Sequence, residues 1–267
     1  MIKIWRIISI LGIGIFVASC GGGTAPSSDT GEIEAPSVVQ WNRDPLAVVF
    51  RTDVIGGDRT PTQLNNTIPD CTLYGDGRVV WHIMQPNGNM QVLFDFVNDS
   101  DIANFVNYLV VEKRIYTYKE AFLNEIPQEV TPVYQQIILE INGIKHVTDA
   151  FANWEDGYYS SLLERCQKLA RTPRIFVPEG AWISAVTADT TRNLPTIYWN
   201  PNATGYGFTD LATDNSKRWI EGQTVSVLWD NIILVPGDVQ FSDNFGTYEV
   251  SLQVPGVTLD APPAPIQ

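Results

Sequence analysis

The chain has 267 residues, 44% of them hydrophobic and 11% aromatic, a composition that fits a folded globular protein and excludes a disordered or fibrous one. Its formal charge of −13, with no basic run to offset it, repels phosphate backbones and argues against nucleic acid as a partner. Two histidines, His82 and His146, leave few side chains for metal or nucleophilic chemistry.

The chain opens MIKIWR, with Lys3 and Arg6 as its charges, and continues as an apolar run from Ile7 to Ala18. A positive start, an apolar stretch of this size and small residues behind it describe a secretory signal peptide over residues 1–19. A membrane-crossing helix needs about 17–25 apolar residues, more than this run supplies before the triple glycine that follows Cys20. Val17-Ala18-Ser19-Cys20 resembles the lipobox of bacterial lipoproteins. The resemblance implies cleavage before Cys20, lipidation of that residue, and anchorage to the cell membrane or outer membrane on the extracytoplasmic side. Two or three acyl chains hold a protein on a bilayer where one holds it marginally, because each buried CH₂ contributes about 0.8 kcal/mol. Loss of Lys3 and Arg6 with the signal takes the formal charge from −13 to near −15. Residues 20–43 then read as the lipidated cysteine and a flexible linker rich in Gly, Ser and Pro.

Beyond the linker the pattern predicts an α+β fold. LAVVFRTDV, from Leu46 to Val54, reads as a first strand. Asp76-Gly77, Asn87-Gly88 and Asn142-Gly143 each mark a hairpin, since these dipeptides tolerate the positive φ that tight turns require. A two-residue turn at Asn142-Gly143 pairs Ile141 with Ile144, Glu140 with Lys145 and Leu139 with His146. The same counting at Asp76-Gly77 pairs Gly75 with Arg78 and places Cys71 opposite His82. Helical spacing puts Ile102, Phe105, Val106, Leu109 and Val110 on one face, behind caps at Asn98, Asp99 and Ser100. A second helix gathers Tyr159, Leu162, Leu163, Cys166, Leu169 and Ala170, begins near Glu155 and Asp156, and stops before Pro173. The expectation is antiparallel hairpins, a meander with two amphipathic helices packed on one face, over residues 44–172.

Residues 173–257 read as a β-rich C-terminal domain or extension. IFVPEGAWISAV, TIYWN and TYEVSLQV look like strands, and in the last Tyr248, Val250, Leu252 and Val254 alternate with Glu249, Ser251 and Gln253, a half-buried pattern. TVSVLWDNII fits either period and leans to helix. Residues 258–267 form a Pro-rich tail expected to fray. The lipobox, the LYGDGRVVW hairpin, the helix behind it and the YEVSLQV strand together resemble uncharacterised bacterial lipoproteins. The YGDGRV hairpin is similar to those of small envelope domains of unknown function. Such families carry no assigned activity, so the resemblance implies an address and no catalytic residue.

Chemistry then rests on few candidates. With Cys20 lipidated, Cys71 and Cys166 form a disulfide or remain two buried thiols. Cys71, His82, His146 and Cys166 offer the ligand types of a tetrahedral zinc site at a spacing that matches no finger pattern, and Cys71 with His82 offers a nucleophile pair. The acidic stretch from Asn98 to Asp101 suggests calcium less simply than it suggests a helix cap. Aromatic residues crowd the C-terminal third, and Trp199, Tyr206, Phe208 and Trp219 are candidates for stacking on a sugar or peptide, or for filling a core. No GxSxG, P-loop, GxGxxG or HExxH occurs, and no cofactor is expected. The expected function is a lipid-anchored envelope protein, more a non-enzymatic binding or structural component than an enzyme, with a glycan or protein partner in the envelope. The competing class is an envelope-associated hydrolase, or a glycan- or peptide-binding module using the aromatic C-terminal third. Convergent carboxylates in a cleft favour the hydrolase, and an aromatic patch favours binding.

Overall fold

A computed structural model describes residues 39–121, 131–189, 191–235 and 237–266. The expected signal peptide, Cys20 and the linker through residue 38 lie outside the described residues. The first half contains β1 (Val48–Gly56), α1 (Pro61–Asn65), β2 (Cys71–Tyr74), β3 (Arg78–Met84), β4 (Met90–Phe96), α2 (Asp99–Asn107), β5 (Val133–Ile141), β6 (Ile144–Asp149) and α3 (Tyr158–Gln167). The second contains β7 (Arg174–Ile175), β8 (Gly180–Thr187), β9 (Thr196–Tyr198), α4 (Pro201–Thr204), α5 (Phe208–Asp214), β10 (Arg218–Glu221), α6 (Gln223–Ile232), β11 (Gln240–Ser242) and β12 (Thr247–Gln253). A seven-stranded sheet runs β6-β5-β1-β2-β3-β4-β7, and a five-stranded sheet runs β10-β8-β12-β11-β9. Every pairing is antiparallel except that of β11 with β9. The chain is thus α+β, with a β-rich C-terminal portion that also carries three helices.

The hairpins show how local chemistry sets register. At Asn142-Gly143 both turn residues take positive φ, 52° and 71°. The pairs are Ile141 with Ile144, Glu140 with Lys145 and Leu139 with His146, as the two-residue turn requires. The Asp76-Gly77 turn is different. Leu73 pairs with Val79 and Cys71 with Trp81, so the loop is one residue longer than expected. Gly77, at φ 87°, takes the left-handed position of a three-residue loop, and Asp76 Oδ1 accepts the Arg78 N–H at 2.9 Å. A slip of one residue turns every side chain to the other face. Cys71 therefore shares the helix-covered face with Leu73, Val79 and Trp81, whereas His82 lies on the opposite face with Val80.

That first face is closed by α2 and α3. Asn98 caps α2 by accepting the Asp101 N–H at 2.9 Å, and Ile102, Phe105 and Val106 are buried beneath it. The helix passes into a π-helical turn, Tyr108–Glu112, that buries Leu109. α3 starts after Gly157, so Glu155 and Asp156 precede it rather than open it, and it buries Tyr159, Leu162 and Cys166. Together with Phe50, Leu73, Val79, Trp81 and Leu139 these side chains form one core.

A second core joins the other face of the large sheet, through Tyr74, Val80 and Val92, to the C-terminal portion. It takes Ala181, Ile183 and Ala185 from β8, Val250 and Leu252 from β12, Phe208 and Leu211 from α5, and Val225, Leu228 and Trp229 from α6. TVSVLWDNII is accordingly helical, lying in α6 up to Ile232 with Ile233 as its cap. Four expectations differ. IFVPEGAWISAV is two strands, β7 in the large sheet and β8 in the small one, so the expected division at residue 172/173 cuts through the large sheet. Residues 38–267 form one compact unit. The last residues assigned to the linker are folded: Trp41 Nε1 donates to Gly75 O at 3.2 Å, and Arg43 pairs with Asp99 at 2.6 Å. The tail is also held, by Leu259 N–H to Thr67 O at 2.8 Å and by Trp182 Nε1 to Pro263 O at 2.9 Å. Finally, β12 is buried on both faces rather than half-buried. The three polar side chains expected to face solvent have partners: Glu249 in Arg192 at 2.9 Å, Ser251 in Asn65 at 3.3 Å and Gln253 in Lys217 at 2.6 Å.

Candidate functional site

The large sheet ends at β7, and the small sheet begins five residues later at Gly180. Between these two strands lies an open groove of 450 Å³ lined by Phe94, Ile175, Phe176, Val177, Gly180 and Trp219, with Val254, Pro255, Ala264 and Glu179. Phe94 meets Phe176 edge-on at 5.7 Å, and Phe176 rests on the buried Trp229 at 5.7 Å. Trp219 forms the far wall. Its indole covers Gly180, where a Cβ would come within 2.3 Å of Cζ2, so only glycine admits the ring. Trp219 Nε1 donates to Glu221 Oε1 at 2.7 Å, and the ring meets Trp182 edge-on at 5.5 Å. At the β7 end, the Arg174 guanidinium lies 4.6 Å from the Phe94 ring centre. The lining is thus apolar and aromatic apart from Glu179, with Arg174 stacked on Phe94 and Glu221 bonded to Trp219 beside it.

Two polar clusters lie elsewhere. Tyr159 donates to Asp70 Oδ2 at 2.6 Å, and His82 Nε2 stands 3.8 Å from Asp70 Oδ1. Nearby Asp53 is buried and accepts the Val54 N–H at 2.8 Å. Burial pushes its carboxyl up from 3.8 to about 6, against the Val54 N–H and the charge of Arg51. Burial, with Asp70 beside it, also raises the Tyr159 hydroxyl well above the usual tyrosine range. The 260, 200, 450 and 370 Å³ cavities among the described residues are lined by other side chains than Asp53, Asp70 and His82. The second cluster borders a 260 Å³ cavity lined by Gln63, Met90, Ile232, Asp238, Glu249 and Val250, among others. Arg192 clasps both of its carboxylates, Asp238 and Glu249, and Gln63 Nε2 adds a bond to Asp238 at 2.5 Å. Those carboxylates are engaged with protein partners rather than turned together on open space.

The residues singled out by sequence separate accordingly. Cys71 and Cys166 are joined in a disulfide, S–S 2.03 Å, which leaves neither sulfur as a thiolate ligand or nucleophile. His82 is on the other face of the sheet, and His146 Nε2 lies 3.0 Å from Ile115 O against the Tyr116 ring. The four therefore do not converge, and no group of three or more metal-ligating side chains occurs among the described residues. Trp199 and Phe208 are core residues, packed with Phe241, Tyr248 and the ring of Tyr206. The segment WNPNATGYGF is no open loop, because α4 and the start of α5 fold it inward. Of the four aromatic candidates only Trp219 lines the groove. Phe94, Phe176, Ile175 and Val177 were missed, although RIFV between Pro173 and Pro178 carries the signal of a short edge strand, which tolerates flanking prolines.

Together these features define a two-sheet α+β body with an aromatic-lined groove between the two sheets. Comparison with protein-family models, curated proteins and solved structures finds no match. Among the described residues, no helix is long and apolar enough to cross a membrane.

Proposed function

We propose that this chain is a lipid-anchored protein of the bacterial envelope, held through Cys20, whose folded body binds a partner in the groove at Trp219. The observation that carries the binding role is the groove itself: an open aromatic and aliphatic lining in which, among the described residues, Glu179 is the one ionisable side chain. Exposed apolar surface of this kind costs solubility unless it is used. The hydrolase reading is supported less well, because Asp238 and Glu249 share the Arg192 guanidinium at the rim of a smaller cavity.

Two measurements test this. Mass spectrometry of the mature protein should place an acylated Cys20 at its N-terminus, and a Cys20→Ala chain that fractionates and migrates like wild type would sink the anchor. For the groove, the fluorescence of anilinonaphthalene sulfonate should rise on binding the folded protein and fall by most of its amplitude in Trp219→Ala. Dye binding that is indifferent to Trp219 would place the apolar binding surface elsewhere.

A further inference from the structure

We propose that β7 is a docking edge for an extended segment of a partner protein, apolar at alternate positions and acidic where it faces Arg174. This rests on the binding role above and names the occupant of that groove. Three observations converge on it.

The first is the main chain. Among the described residues β7 pairs only with β4, through Leu93 with Ile175 and Phe94 with Arg174, and it is the last strand of the large sheet. Phe176 N–H donates to Val92 O at 2.9 Å, so Arg174 and Phe176 turn their backbone groups inward. Antiparallel pairing alternates, which turns the N–H and C=O of Ile175 and Val177 outward, away from β4. Pro178 falls at an inward position and removes no outward donor, whereas Pro173 falls at an outward position and ends the row. The free edge is therefore a short window bounded by chemistry, the arrangement that an added strand completes.

The second is the side chains. Ile175 is 59% exposed and Val177 63%, and both line the groove with Phe94, Phe176 and Trp219. An added strand would present alternate side chains to that lining.

The third is charge. On a chain of net charge −13, Arg165, Lys168, Arg171 and Arg174 fall within ten residues, from the end of α3 into β7. Lys168 pairs with Glu164 and Arg171 with Asp101. Arg165 and Arg174 instead lie over the rings of Tyr108 and Phe94, at 5.2 and 4.6 Å, and neither joins an ion pair among the described residues. Arg174 is thus the cation at β7 itself, its charge acting on Asp95, while Glu179 and Glu221 border the groove, so the edge selects a segment that is acidic opposite Arg174 and apolar toward Trp219.

The test uses the full-length protein in detergent and a fluorescein-labelled peptide of about nine residues, alternating valine with threonine and carrying two glutamates. Fluorescence anisotropy should show saturable binding below ~1 mM, weakened about tenfold or more when alternate peptide nitrogens are methylated. Ile175→Pro, which removes an outward donor and leaves the β4 bonds in place, should weaken binding to a similar degree without lowering the melting temperature. Arg174→Glu should weaken this peptide and favour a version with lysines for glutamates. Equal affinity for the methylated peptide overturns strand pairing whatever the behaviour of the protein variants. If Trp219→Ala then abolishes binding while methylation and Ile175→Pro do nothing, the edge is refuted and the groove stands. No peptide binding up to ~1 mM refutes the docking edge, and the dye experiment decides the binding role separately.

Discussion

The two faces of the large sheet are closed in different ways. One is covered by α2 and α3, each read directly from helical spacing, and tied by the disulfide between Cys71 and Cys166. The other is covered by segments from remote parts of the chain: β8, β12, α5, α6 and the turn after β12, which meets Arg78 at Gly256. The first core is built almost wholly of apolar side chains at regular spacing. The second needs polar locks at its margin, among them Arg192 on Glu249 and Asn66 Nδ2 on Val250 O at 3.0 Å. A core of regular elements carries its pattern in the local sequence. A core assembled from distant segments must also satisfy the backbone and polar groups that those segments bring with them.

The largest expected effect strikes the covalent tie. Replacing Cys71 and Cys166 together by alanine opens a loop of sequence separation 95 and should lower stability by about 4–5 kcal/mol in the chain-entropy model. Guanidinium unfolding followed by tryptophan emission measures it. A split into two transitions in the variant would break the view that both cores unfold as one unit. Phe208→Ala strikes the second core, where the ring is fully buried against Trp199, Phe241 and Tyr248. The expected loss is about 3–5 kcal/mol. A much smaller loss would mean that the second core is loosely packed beside the first.

Asp53, on the second face, sharpens the comparison through pH. Its carboxyl, about 6 when folded and 3.8 as the ordinary value, keeps a proton in the fold that the unfolded chain has already released. The stability from this group is therefore complete below pH 3.8 and lost as pH rises through about 6. Asp53→Asn removes the cost of the buried charge and should stabilise the protein at pH 7.5 by up to about 3 kcal/mol, with little change at pH 3.5. Equal stabilisation at both pH values would assign the effect to packing instead. The smallest effect belongs to the Asn142-Gly143 hairpin, where the half-buried Glu140 faces the exposed Lys145. Lys145→Ala should cost about 0.2–1 kcal/mol, and the difference from wild type should shrink at high salt.

Legibility followed the same division. The Asn142-Gly143 register was readable because both turn residues accept positive φ and the loop length admits one pairing. The Asp76-Gly77 hairpin was visible but its register was not, since the same dipeptide serves two-residue and three-residue loops. That single residue decided whether His82 joined Cys71, and the tertiary structure put them on opposite faces. β12 read as half-buried because Glu249, Ser251 and Gln253 look like solvent-facing residues until partners arrive from α1, Arg192 and Lys217. Trp199 and Trp219 show the limit most plainly. Both are tryptophans in short strand-like stretches, and nothing in their neighbours separates them.

What the sequence determined by itself was therefore local: the hairpins, the apolar faces of α2 and α3 and the α+β class, beside the resemblance of Val17-Ala18-Ser19-Cys20 to a lipobox on which the proposed anchor rests. Those follow from turn chemistry and periodicity, which act over a few residues. Only the tertiary structure decided that RIFV leaves its neighbours to edge the large sheet, that Trp199 is core, and that Trp219 stands over Gly180 at the groove. Each of these depends on which distant backbone lies opposite, and that is set by packing the whole chain at once.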